Sequence, residues 1–567
     1  MKKQISGIFA LSYNFISILS IAFTGLLFIT GLFFTCYAED MVTQEVLTKW
    51  NHPVFHVIGV LALGGWVLFL AKKALLHPKK GRTLLLAAAF LVITGFGMLL
   101  VLLGRTAPAA DAWSVYAAAK SAAIGDLSII HPTESYLSYY PQQVGLLGFF
   151  ELIIRLWNLT GFSVEPYHFI KCLYVLLTCV IVYYQSKTVG FLFDEKAECI
   201  YLLLAMTNLP LIMYSSFVYG EIPSFAALSA GLYYLMKLIR SADEAAEQTT
   251  SQAAEQAASQ AAARTGKRLY IYSFVSLVCF IISVILRKNS LVIIIAVVLV
   301  LMLEGYRLLR AQAGLQKRAA ALFSLAVLCG VLSVTILPAI QRVYEWRADN
   351  TLSQGVPAMS YFCMGMQESS RANGWYNGFN FNTYHETGMD NAKTTEISRA
   401  QISKRLIVFR EHPGYALSFY TGKYLSQWAD GTYASRQATL ATLGERHPAA
   451  ESLYTGQAAV LYILFDNWHQ ALVYFGCFLF ALFHKRLLGR EKGRLYPFTL
   501  LIGAFGGFLF HMLWEANARY IFPYSLLLMP YAAAGLSFLS STSFLRKSGR
   551  NNTGRTANDS QTPPTEG

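Results

Sequence analysis

Three acids and three cations stand at the ends of apolar segments, where charge is costly and a reason for it is required. Asp111 follows an apolar run in "LLGRTAPAADAWSVYAAAK", Glu221 opens another in "YGEIP", and Glu515 and Arg519 lie together in "WEANARYIFPY". Arg287 and Lys288 occupy "ILRKNSL", a turn between apolar runs too short for anything but a helical hairpin. Two cations at such a place need an anion, either an acidic lipid headgroup or a specific phosphate. A phosphate beside acids at a membrane surface points to a lipid-linked substrate. The stretch "SYLSYYPQQVGLL" adds Tyr139 and Tyr140 as possible linings, with His131 as a further loop candidate. Asp111 also has a plain local explanation, as the N-cap of an amphipathic helix.

The elements that must position these residues are membrane-spanning helices. The 567-residue chain is 55% hydrophobic and only 14% charged, and its apolar runs repeatedly reach the length that crosses a bilayer core. Candidate spans fall at 8–36, 54–72, 83–103, 166–186, 197–214, 222–239, 269–286, 291–305, 319–338, 468–484, 495–513 and 520–540, about twelve in all. The formal charge of +14 does not point to nucleic acid, because Lys and Arg concentrate in short loops at 72–82, 240–268, 306–318 and 484–494 and at 546–550. The positive-inside rule sends those loops, and both termini, to the cytoplasm. The long loops 104–165 and 339–467 then lie outside, and Arg287 and Lys288 face outward against the rule. Segment 144–159 is apolar but short, with Glu151 and Arg155 four residues apart, and suits a helix lying in the interface. If it crossed instead, every later loop would invert.

The chain therefore divides into an N-terminal transmembrane hairpin (1–82), a transmembrane core (83–338) containing the first large outer loop (104–165), an extracytoplasmic domain (339–467), C-terminal transmembrane helices (468–545) and a disordered cytoplasmic tail (546–567). The Ala/Gln/Glu tract 241–267 reads as a charged helical hairpin or a disordered loop. The eight cysteines stand singly, without Cys-x-x-Cys or a His cluster, as small buried residues do. The N-terminal apolar run is too long for a signal-peptide core and reads as a retained span. Segment 339–467 is rich in aromatic and amide side chains, as a sugar-binding surface or a packed cap on the bundle would be. "GAFGG" (503–507) reads as a site of close helix approach.

The order of elements resembles a known group: an acid after an early span, "YYPQQVGL", "YGEIP", an outer "MGMQ…GWYN" with "KYLSQWADGTY", and a late "EANARYIFP". It is similar to the polyprenyl-phosphate-sugar-dependent membrane glycosyltransferases of the C-type (GT-C) superfamily, in particular glycosyltransferase family 39, which includes protein O-mannosyltransferases and is similar to the lipid A aminoarabinose transferase. The resemblance implies an all-α polytopic, GT-C-like bundle with an extracytoplasmic loop domain and the active site on the outer face. It also implies inverting transfer of a hexosyl or pentosyl unit from a polyprenyl-phosphate donor to a cell-wall polymer, glycolipid or protein. Asp111 matches the catalytic carboxylate as general base or acceptor-orienting group, and Arg287, Lys288 and Arg519 are the cations for the leaving phosphate. Many relatives carry paired acids after the early span, whereas Ala112 and Trp113 follow Asp111 here. A two-carboxylate scheme then draws on Glu221 or Glu134. No cofactor is implied, and a divalent metal is possible but not indicated, since one acid without a His cluster is a poor hard-cation site.

Other classes stay open: a lipid-linked glycan flippase or transporter, a glycan polymerase or ligase using a diphosphate lipid, and a noncatalytic envelope scaffold. Transporters tend to hold ionisable groups at the midplane and to show internal repeats. Here the rule-breaking charges lie at span ends.

Overall fold

The computed structural model describes the backbone of residues 2–38, 43–104, 108, 110–133, 135–248, 255–311, 315–440 and 447–541. The tail 546–567, the centre of the 241–267 tract and Glu134 lie outside the described residues. Among the described residues the protein is all-α and polytopic apart from one short hairpin, Phe34–Ala38 antiparallel to Val46–Trp50. Ten helices among the described residues are long and apolar enough to cross a membrane.

Two of the segments expected to span lie outside those ten, each for a legible reason. Segment 197–214 is broken into helices Glu195–Met206 and Leu209–Tyr214. Asn208 caps the second piece by accepting from the Leu211 N–H at 3.0 Å, and Pro210 follows in its first turn, where a missing N–H costs nothing. Segment 468–484 belongs to a longer helix, Gln457–Leu487, whose first half carries Asp466, Asn467, His469 and Gln470. Conversely, Gln316–Ala348 continues about three turns past the expected end of its span at 338.

The basic loops gather at one end of the bundle. Arg82 pairs with Glu195 at 2.9 Å, Arg240 with Glu491 at 3.1 Å, and Glu304 accepts from the Leu495 and Tyr496 N–H groups. Glu221 opens the helix Glu221–Gln248 that carries Arg240 further along, Arg287 follows the end of Glu255–Leu286, and Glu515 lies between Thr499–Leu513 and Ala518–Ser541. Helix Val144–Asn158 has 15 residues and is pinned at the end that carries Arg287. There Glu151 binds Arg155 at 2.9 Å and Arg347, from the end of Gln316–Ala348, at 2.7 Å.

The short β-hairpin of the N-terminal segment is tied to this end. The Cys36 N–H donates to the Ala429 carbonyl and the Val46 N–H to the Arg371 carbonyl, so the β-hairpin braces the segment between the long helices. Of the "GAFGG" glycines, Gly507 is the tight one: a Cβ there would meet the Tyr524 ring at 2.4 Å.

Candidate active site

The site starts from the turn at Arg287. Helix Glu255–Leu286 ends there, a 3-10 turn Lys288–Ser290 follows, and helix Leu291–Ala311 departs. Ser224, Ser283 and Ser290 fasten this turn to helix Glu221–Gln248 through hydroxyl contacts of 2.8–3.0 Å. Two glycines permit the approach. A Cβ on Gly220 would meet the Leu286 carbonyl oxygen at 2.3 Å, and one on Gly145 would meet that of Ile285 at 2.1 Å. "YGEIP" and the end of "YYPQQVG" therefore close on the same turn.

This closure brings Arg287 within 2.9 Å of Glu221 Oε1, while Arg519, from the first turn of helix Ala518–Ser541, comes to 3.8 Å of the same oxygen. The anion that the turn requires is thus supplied by the chain itself, and the expectation that only a lipid or phosphate could satisfy Arg287 is corrected. Glu221 is the first residue of its helix, where the helix dipole also favours its charge. Two guanidiniums share one carboxylate, which leaves the cluster one positive charge in excess. Tyr219 lies between them, its ring 4.9 Å from the Arg287 guanidinium and 5.9 Å from that of Arg519. The Tyr219 carbonyl accepts from Tyr174 at 2.6 Å, and its hydroxyl accepts from Gln143. A narrow cavity reaches this group, lined by Glu221, Arg287, Asn289, Arg519 and Tyr520. Lys288 is exposed and stands outside that lining.

Beside the arginines lies a second, acidic layer. Glu515 is buried and accepts from the Tyr520 hydroxyl at 3.3 Å. Burial pushes its carboxyl up to about 7, with Arg519 and Tyr520 opposing and Asp111 adding to the rise. Tyr140 and Tyr376 are raised by burial and by the fields of both Asp111 and Glu515. Tyr361 feels both acids as well and stacks on Trp514 at 5.0 Å. The Trp375–Ala516 bridge, with the Ala516 N–H donating to Gly374 at 2.8 Å, holds the outer segment against the Glu515 loop.

Asp111 is exposed in the first turn of helix Ala110–Ala123. It sits inside the helix rather than at the N-cap expected for it, and the preceding Ala110 has a positive φ of 49°, uncommon for a residue with a Cβ. Tyr139 and Tyr140, neighbours in sequence, part company. Tyr140 faces the acids, whereas Tyr139 bonds His385 at 2.7 Å and stacks on Phe381. His131 contacts Thr133 within its own loop. Among the described residues no group of three or more His, Cys, Asp or Glu side chains is arranged to hold a metal ion.

Gln143, Tyr219, Tyr376 and Tyr520 were not singled out from the sequence, although each adjoins or lies within a motif that was. Tyr361 carries no local signal, because it reaches the site through the fold of 339–467.

No protein-family profile matches the chain, and no curated protein matches it. Solved structures resemble it in part. One is the archaeal oligosaccharyltransferase AglB from Archaeoglobus fulgidus in complex with an inhibitory peptide and a dolichol-phosphate, 14% identical, with a TM-score of 0.44 over 85% of this chain and 53% of that one. Another is the same organism's oligosaccharyltransferase in the apo form, 14% identical, with a TM-score of 0.44 over 82% and 51%. The chain spans about half the length of these structures.

Proposed function

We propose that the protein is an integral membrane glycosyltransferase that moves a sugar from a polyprenyl-phosphate donor to a hydroxyl acceptor. The observation that carries this is the paired approach of Arg287 and Arg519 to one buried carboxylate in the lining of a narrow cavity. Two guanidiniums with one shared counter-charge can take up the negative charge of a phosphate.

In this reading the acceptor oxygen attacks the anomeric carbon while the bond from that carbon to the phosphate oxygen breaks, inverting the configuration. The acceptor proton passes to the Asp111 carboxylate. The bonding electrons leave with the phosphate, whose developing charge falls to Arg287 and Arg519. Glu221 holds the arginines in place, Tyr140 and Glu515 offer hydrogen bonds to the sugar, and Lys288 contributes only long-range charge. The basic loops at the opposite end support a site outside the cytoplasm. The resemblance of the motif order to glycosyltransferase family 39 supports the same reading.

The test is consumption of donor by the purified, reconstituted protein. A radiolabelled polyprenyl-monophosphate sugar should be turned over in the presence of an envelope extract, and the matching diphosphate sugar much less. Preferential use of the diphosphate would favour a polymerase or ligase, and movement of labelled lipid across vesicles without a glycosidic product would favour a flippase.

A further inference from the structure

We propose that a cleft along the exposed face of helix Ala110–Ala123 binds the acceptor, and that this acceptor is an uncharged, hydroxyl-rich glycan; the assignment rests on the transfer reading above. The cleft has a volume of about 480 Å³, within the range of roughly 300–1,000 Å³ usual for small-ligand sites. Its lining includes Trp113, Ser114, Ser121, His131, Thr133 and Tyr136.

Three features decide the class of occupant. Trp113 keeps 51% of its surface open, and an indole free at a polar cleft is a stacking platform for a sugar ring, apolar on its face and hydrogen-bonding at its edge. The Ser, Thr and Tyr hydroxyls each both donate and accept, as the groups of a glycan require. The described residues that line the cleft carry hydroxyl, imidazole, indole and apolar groups, and among them none is Asp, Glu, Lys or Arg. Lys120, the cation on the same helix, is paired with Glu165 at 3.0 Å.

The position of the cleft connects it to the chemistry. Asp111, Ser114, Ala118 and Ser121 recur every three or four residues, so they lie on one face of the helix and the cleft floor continues the line of Asp111. At the other side Tyr136 packs against Tyr140 with ring centroids 5.0 Å apart, and Tyr140 borders the acid layer. A glycan lying on Trp113 would present its terminal hydroxyl toward the Asp111 carboxylate.

The test measures binding without turnover, on the full chain in nanodiscs, by saturation-transfer NMR and by tryptophan fluorescence. The probes are mannopentaose, maltopentaose and chitopentaose, with an uncharged Ser/Thr-rich peptide as the competing class. At least one oligosaccharide should bind the wild-type protein. Trp113→Ala should weaken it at least about tenfold, and Trp113→Phe should restore most of the loss. Ser121→Trp, which fills the floor, should abolish binding; Trp113→Ala, a surface change, covers the case in which that variant misfolds. Failure of all three oligosaccharides, affinity unchanged in Trp113→Ala, or binding of the peptide in their place overturns the proposal. If the oligosaccharide binds as described while no lipid-phosphate sugar is consumed, the cleft stands and the transfer reading falls.

Discussion

Arg287 and Glu221 form an ion pair of 2.9 Å at the point where two long helices end, and Arg519 is held to the same carboxylate oxygen from a third. Removing that carboxylate leaves two guanidiniums facing each other with little water. Glu221→Gln is therefore expected to destabilise the protein by about 2–4 kcal/mol, somewhat below the cost of a wholly buried pair because both arginines keep some exposure. A detergent thermal-shift measurement reads this, and an unchanged transition would show that Glu221 does not hold the cluster.

The two cations of "ILRKNSL" should behave differently. Arg287→Ala removes a cavity-lining charge and is expected to weaken donor binding at least about tenfold, on the scale of a charge-assisted hydrogen bond. Lys288→Ala removes an exposed charge and should change affinity less than about threefold. Donor titration of the two variants side by side checks the contrast.

Glu515 makes stability pH-dependent with a defined sign. Its carboxyl is raised to about 7 from an ordinary value of 4.5, so the folded state binds more protons than the unfolded state between those values. Stability from this group is then full below about pH 4.5 and falls as pH rises through 7. The full swing is on the order of 3 kcal/mol. Thermal unfolding of wild type and Glu515→Gln from pH 4.5 to 8 should show the wild type losing ground to the variant as pH rises. Parallel profiles would contradict it.

Helix Val144–Asn158 is positioned by one carboxylate. Glu151 accepts from Arg155, from both terminal nitrogens of Arg347 and from Tyr344. The same helix follows the Pro141–Gln143 turn, which delivers Gln143 to Tyr219. Glu151→Gln should lower thermal stability by about 2–4 kcal/mol and reduce kcat, while the neighbouring exposed Leu152→Gln leaves both near wild type. Equal behaviour of the two variants would remove Glu151 from the account.

The charged skeleton of the site was legible because a membrane makes each misplaced charge conspicuous. Asp111, Glu221, Arg287, Glu515 and Arg519 all stand where a hydrophobic pattern stops, and the fold gathers them at one end of the bundle. Their pairing was not legible, since the partner of Arg287 lies on another helix and is reached only because Gly220 and Gly145 let backbones touch. The same limit hid the broken helix at Asn208, where an apolar run of spanning length conceals a cap and a proline. It also hid the Phe34–Ala38 strand, which continues the apolar composition of the helix before it. Tyr139 and Tyr140 show the limit at its smallest scale: adjacent residues of one type, facing different neighbours because a turn begins between them and the helix that follows.

The central claim is that Asp111 takes the proton of the acceptor during sugar transfer, and the rate of labelled-sugar transfer by reconstituted Asp111→Asn tests it most directly. The substitution keeps size and removes the base, so transfer from a polyprenyl-phosphate sugar should fall by at least about a hundredfold while the donor still binds. Transfer at the wild-type rate would contradict the account.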